Sequence, residues 1–135
     1  RELDAASIAA ALAPLGYTPH ETIDRDHVPP GGERLPEGEW RKLLFNAPAG
    51  QRRTHLHVRQ AGRANQRYPL LFRDYLRASS AAAQAYRRVK EALARLHPDD
   101  QDAYYDVKDP VCDLIMDAAE RWATTTAYVP GPPDL

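Results

Sequence analysis

The stretch WRKLLFNAPAGQRRTHLHVRQ, residues 40–60, decides the fold. Its opening, WRKLLFNAP, reads as a strand. Leu43, Leu44 and Phe45 in a row break strict alternation, which implies burial on both faces. Pro48 and the following AGQ are turn material, and RTHLHVRQ reads as the next strand. Two such runs separated by a short Pro/Gly segment predict an antiparallel hairpin. Side chains alternate across a strand, so Thr54, Leu56 and Val58 share one face, with Leu56 and Val58 turned to the core. His55, His57 and Arg59 share the other.

Downstream, everything after Asn65 has helical character. QRYPLLFRDYLRAS sets Leu71 with Tyr75 and Phe72 with Leu76 at i, i+4, while Arg73, Asp74 and Arg77 fall to the other side. Ser79 or Ser80 caps the next helix, AAAQAYRRVKEALARL, whose stripe is Tyr86, Val89, Leu93 and Leu96. Pro98 and the Asp99-Asp100 pair mark a break. QDAYYDVK is then expected as a short helix, with Asp109-Pro110 opening a separate last one along Val111, Leu114, Ile115, Ala118 and Trp122. TTTAYVPGPPDL has no periodicity and is expected as a surface tail.

Upstream, Asp4 is placed to cap a short helix over AASIAAALAPLGY, weakened by Pro14 and ended by Gly16. From Thr18 to Gly38 the chain holds four prolines and three glycines, so any strand there is brief or at an edge. An irregular segment of that length is characteristic of a functional loop or of a disordered one. The expected class is α+β: a small mixed or antiparallel sheet in front of a C-terminal helical half, with residues 1–127 forming one domain and 128–135 the tail.

At 135 residues the chain is long enough for a core, and its net charge of −1 lacks the cationic excess of a sequence-independent nucleic-acid binder. GQRRTHLHVRQAGRANQR nevertheless holds five arginines and no acid, a local basic face that in most proteins is simply solvated surface. Cys112 is the only cysteine, which excludes a disulfide framework and a thiolate zinc cluster; in its apolar helical pattern it reads as a small buried hydrophobe. No run approaches the ~20 apolar residues of a membrane span. With no signal peptide visible, the cytoplasm is the expected location. The chain begins at Arg1 rather than Met, which suggests processing or a start inside a longer protein.

Several of these segments together resemble one known family. THLHV is similar to the His-rich HxHV strand of GrpB-like proteins, here His55 and His57. Phe72 to Arg77 matches their FRDYLR helix, and the pairs Tyr86/Lys90 and Tyr104/Lys108 match their two Tyr…Lys pairs. The likeness covers most of residues 40–122 and is specific only in combination. Relatives of this module also form the C-terminal part of fused bacterial dephospho-CoA kinases. The resemblance implies a nucleotidyltransferase-like α+β fold, in which a Gly-Ser turn and a strand bearing two carboxylates hold metal ions and nucleotide phosphates. GrpB-like proteins usually supply that element in an opening segment of the form GSTSVPGLxxKxxxDI. It has no counterpart here, so the expectation is a GrpB-like domain whose first strands lie outside this chain.

Three chemistries compete for the histidine face. Two-metal phosphoryl transfer needs carboxylates sharing Mg²⁺; Asp24 and Asp26 in DRD have i, i+2 spacing, but in a loop, where solvated acids are the commoner outcome. Zinc could take His55 and His57 from one strand face, with His20, His27 or an acid as third ligand, although no spacing fixes that third ligand. A phosphate- or anion-binding face accounts for more of the residues. It joins His55, His57 and Arg59 to Arg41 or Lys42 from the partner strand, with Arg73, Lys90 and Lys108 from the helices. Its plain rival is a set of structural ion pairs and hydrogen bonds between helices, and Tyr75, Tyr86 and Tyr104 read as core-edge aromatics. No nucleophile arrangement stands out, and PPGG lacks the Lys-Ser/Thr of a phosphate loop.

The expected function is therefore binding of a nucleotide or other phosphorylated small molecule. Mg²⁺-dependent nucleotidyl or phosphoryl transfer follows if the missing strands exist. The competing expectation is a non-catalytic binding or stabilising module, for example accessory to a fused or partner kinase.

Overall fold

The computed structural model describes residues 3–52 and 54–131. They divide into two compact units that meet in sequence between Gln66 and Arg67. The class is α+β, as expected.

The first unit opens with helix α1, Ala5–Leu12. Asp4 caps it by accepting from the Ser7 backbone N–H (3.1 Å) and hydroxyl (2.6 Å), which satisfies one of the donors every helix start leaves over. A 3-10 turn, Ala13–Leu15, stops at Gly16, whose φ of 82° lies in the left-handed region. Three antiparallel strands follow, β1 (Thr18–Pro19), β2 (Lys42–Asn46) and β3 (His55–Arg59), in spatial order β1-β2-β3.

The hairpin has the expected strands, trimmed at Trp40, which belongs to a 3-10 turn, Glu37–Trp40. Lys42 pairs with Arg59, Leu43 with Val58, Leu44 with His57, Phe45 with Leu56 and Asn46 with His55. One sheet face thus carries Lys42, Leu44, His57 and Arg59, and the other Leu43, Phe45, Leu56 and Val58. Leu44 and Phe45, neighbours on opposite faces, are both buried, which explains the unbroken apolar run.

The irregular stretch before β2 is anchored at several points. Residues 24–26 run antiparallel to 40–42: the Asp26 N–H donates to the Trp40 carbonyl (2.9 Å) and the Lys42 N–H to that of Asp24 (2.8 Å). Trp40 is buried and its indole N–H donates to the Gly32 carbonyl (3.2 Å). Gly32 is required there, because a Cβ would sit 2.6 Å from the Trp40 ring. Helix α2, Ala64–Ala78, starts in this unit, where the Glu39 carboxylate accepts from the Ala64 N–H (2.9 Å) and pairs with Arg63.

The second unit contains the rest of α2, α3 (Ser80–Leu96, capped by Ser79) and α4 (Gln101–Thr126, capped by Asp100). Leu71, Met116, Ala119 and Ala123 are its buried centre, ringed by Tyr68, Phe72, Tyr75, Trp122 and Tyr128. Small residues at 119 and 123 lie where aromatic rings crowd in. Leu93 is buried as expected, while Leu96 at the end of that stripe is 60% exposed.

Three expectations are corrected here. The two helices expected around Asp109-Pro110 are one: α4 runs 26 residues straight through Pro110. A proline inside a helix removes one N–H and costs about 3 kcal/mol, a local cost that α4 absorbs within a 26-residue helix whose turn beside the proline meets α3 through Cys112 and Tyr86. Leu114 is 73% exposed rather than core, because the buried stripe is set by Met116, Ala119 and Ala123, a different angular position on the same helix. The segment expected as a tail is helical to Thr126, and Tyr128 turns back so that its hydroxyl donates to Asp74 (2.8 Å).

Candidate functional site

The polar face of the hairpin is organised around one carboxylate. Asp26 accepts from Lys42 Nζ (2.8 Å), from Arg59 through Nε (2.7 Å) and Nη2 (2.9 Å), and from Asn65 Nδ2 (3.1 Å). Each donor comes from a different element: β2, β3 and the first turn of α2. The bidentate guanidinium and the two short contacts are charge-assisted geometry. Burial of Asp26 works to raise its pKa, but the hydrogen bonds and positive charge of Arg59 and Lys42 prevail and hold it below the usual carboxylate value.

His57 sits beside this hub, its Nδ1 3.4 Å from Arg59 Nη2. Partial burial, with the positive charges of Lys42 and Arg59, lowers its pKa to about 4 against the opposing pull of Asp26. The imidazole is therefore neutral at pH 7 and offers one donor and one acceptor. Two cations against one carboxylate leave the cluster with a single net positive charge. His55, on the same face, is exposed and paired with Asn46.

Asn65 is 1% exposed and closes the cluster from behind: Nδ2 also donates to the Arg41 carbonyl (2.8 Å). Its Oδ1 is buried without a partner among the described residues. Periodicity gives no hint of this role, since Asn65 lies 39 residues from Asp26. Only its position beside a basic stretch at a helix start marks it.

The remaining candidates are placed as follows. Arg41 is exposed and bridges to Arg25, so Lys42 is the partner-strand cation that joins Arg59. Asp24 pairs with Arg25 (3.3 Å). Arg73, Lys90 and Lys108 belong to the second unit. Arg73 donates to Asp74 (2.7 and 3.1 Å), and Lys90 lies 4.8 Å from the centre of the Tyr86 ring. Lys108 donates to Asp109 (2.7 Å) and approaches Cys112 Sγ (4.0 Å), which also meets the Tyr86 hydroxyl (3.6 Å).

A Mg²⁺ or Zn²⁺ site needs several anionic or imidazole ligands converging on one point. Among the described residues no three of His, Cys, Asp and Glu do so. Asp26 is the best-placed carboxylate, but an ammonium and a guanidinium lie against it and would repel a further cation. The described residues do not fit a metal centre.

The fold is shared with a solved protein, GrpB from Enterococcus faecalis, at a TM-score of 0.61 and 26% identity, covering 87% of this chain and 63% of that one. Residues 1–118 match the GrpB protein family, and the chain belongs to it. A dephospho-CoA kinase of Mycobacterium leprae (strain TN) is 35% identical over 92 residues, 66% of this chain and 22% of that protein. A dephospho-CoA kinase of Mycolicibacterium paratuberculosis (strain ATCC BAA-968 / K-10) is 31% identical over 138 residues, 92% of this chain and 34% of that protein. The UPF0157 protein YqkA of Bacillus subtilis (strain 168) is 39% identical over 81 residues, 60% of this chain and 24% of that protein. The chain thus spans between about a fifth and a third of the length of these curated relatives. None of its helices is long and apolar enough, among the described residues, to cross a membrane.

Proposed function

We propose that the β2–β3 hairpin face binds the phosphate of a nucleotide or other phosphorylated small molecule. The observation that carries this is the arrangement of Lys42, Arg59 and neutral His57 around Asp26: fixed cations, one net positive charge, and an imidazole able to donate a hydrogen bond. Asp26 holds the two cations in place, so an incoming anion finds them already ordered and loses less entropy on binding. His55, on the same face as His57 and Arg59, is exposed and extends the polar surface beyond the hub. The similarity to parts of two proteins named dephospho-CoA kinase supports this choice of ligand class.

Mg²⁺-dependent nucleotidyl or phosphoryl transfer would need further carboxylates beside this face, and binding is the part of that reading the hub itself supports. A second reading, a stabilising module without a ligand, draws on the same hub, because Asp26 already satisfies both cations internally.

Calorimetry and thermal shift against inorganic pyrophosphate and nucleoside mono-, di- and triphosphates, with and without Mg²⁺, separate the two. Binding that weakens at least tenfold in His57→Ala supports the phosphate face. No response in the intact protein, or a response indifferent to His57→Ala and His55→Ala, leaves the stabilising module.

A further inference from the structure

In the second unit, α2 packs on one side of the α3–α4 pair. Phe72 meets Tyr86 of α3 edge-on, with ring centres 5.4 Å apart, and Leu71 joins Met116, Ala119 and Ala123 of α4 in the core. The side of the pair turned from α2 is open, and it is not a uniformly solvated surface. On α4, Val107, Pro110 and Leu114 follow at i, i+3 and i+7 and form an apolar seam. Val107 is 47% exposed and Leu114 73%. An exposed seam at that spacing is what a second helix covers.

The two helices also carry opposite charge. α3 holds four basic residues against one acid, and α4 six acids against two basic residues. Arg87 is paired with Glu91 (2.9 Å). Arg88 and Arg95, exposed and seven residues apart along α3, have no partner among the described residues. On α4 the exposed Asp106 has none either, and Asp117, also exposed, holds only Arg121 of its own helix. Asp106 and Asp117 edge the seam. Around the arginines of α3 the exposed Ala81, Ala85 and Ala94 are short enough to admit a valine or leucine from outside.

A basic face and an acid-edged apolar seam complement each other, but within one chain they cannot meet, because α3 and α4 already touch through Tyr86 and Cys112. A foreign basic helix would answer α4 and leave Arg88 and Arg95 unanswered; a foreign acidic one would answer only α3. A second copy of the chain answers both, since a twofold axis sets each helix against the other in both directions.

We propose that this side of the α3–α4 pair is a self-complementary interface, on which a second copy lays its basic α3 against the acid-edged seam of α4 and receives α3 on its own α4 in return. The hairpin hub and any ligand bound there take no part in it.

The test is the mass of the intact chain in solution, by sedimentation equilibrium at micromolar concentrations. The expected result is a dimer that added salt weakens. Leu114→Lys, at a position too exposed to disturb the fold, should weaken it about tenfold or more. Arg88→Glu with Arg95→Glu, and separately Asp106→Lys with Asp117→Lys, should give two monomeric chains. Mixed in equal amounts, they should recover a dimer, because each supplies the charge that the other has lost; recovery also shows that both are folded. If circular dichroism finds either pair of changes unfolded, the single changes Arg88→Glu and Asp106→Lys are mixed instead. A monomeric parent chain overturns the interface. A dimer indifferent to Leu114→Lys, or folded variants that stay monomeric when mixed, overturns it as well.

Discussion

Arg59 grips Asp26 through two nitrogens at 2.7 and 2.9 Å, joining β3 to a loop residue 33 positions earlier in the chain. That contact converts an irregular, proline-rich segment into a fixed wall of the hairpin. Side-chain exposures of 21% for Arg59, 17% for Asp26 and 8% for Lys42 put the hub where the loss of one partner is felt by the others.

Removing the carboxylate should therefore destabilise strongly. Asp26→Ala leaves two partly buried cations uncompensated and is expected to cost about 3 kcal/mol, read from urea unfolding at pH 7. A loss under about 1 kcal/mol would mean that the ion pairs are as weakly coupled as those on an open surface.

His57 gives the fold a specific acid sensitivity. In the unfolded chain its ring takes up a proton near pH 6.5, whereas in the fold it resists until about pH 4. The stabilisation is complete above the unfolded value and drains away as pH falls from about 6.5 towards 4. The ring is half-exposed, so solvent screening reduces the effect to about 1 kcal/mol. Urea midpoints between pH 7.5 and 4.5 should fall less steeply in His57→Gln than in the parent chain. Parallel slopes would contradict the assignment.

A methyl group at residue 32 should be poorly tolerated. Gly32→Ala would push a Cβ to 2.6 Å from Trp40 and 3.0 Å from Val28, costing about 1–3 kcal/mol and altering the Trp40 environment. Stability from denaturation, with the near-ultraviolet circular dichroism of the tryptophans, reads both effects.

Pro110 makes the opposite prediction. Replacing it with alanine restores the N–H that α4 lacks at that position, so Pro110→Ala is expected to raise stability by about 1–3 kcal/mol. A destabilised variant would show that the proline ring makes packing contacts worth more than the missing bond.

Docking of residue 128 on α2 is testable with a single atom. Tyr128→Phe removes the hydroxyl that Asp74 accepts at 2.8 Å and is expected to cost about 1 kcal/mol, while the ring keeps its place against Trp122. A neutral result would indicate that water replaces the hydroxyl without loss.

How much of this was legible depended on whether the signal was local. The hairpin, its alternation, the Asp4, Ser79 and Asp100 starts and the α+β class follow from short-range patterns that few competing arrangements satisfy. Pro110 misled because a local breaker was weighed without the packing energy of a long helix. Leu114 misled because several angular stripes fit the same apolar-rich sequence. The Asp26–Lys42–Arg59–Asn65 hub was only half visible: strand alternation put His57 with Arg59, and the pairing register then chose Lys42 over Arg41. Asp26 and Asn65 reach it across long sequence separations for which a single sequence has no periodic mark.

Pro19 has a consequence of another kind. It occupies the outer strand of the sheet, paired with Phe45, and carries no amide hydrogen to offer an incoming chain. With only two residues in β1, that border is a poor template for templated growth. The proline thus acts as a gatekeeper against aggregation beside the apolar run at 43–45, where Leu44 and Phe45 are buried, and replacing it with valine would be expected to shorten the time to visible fibril formation under mild heating.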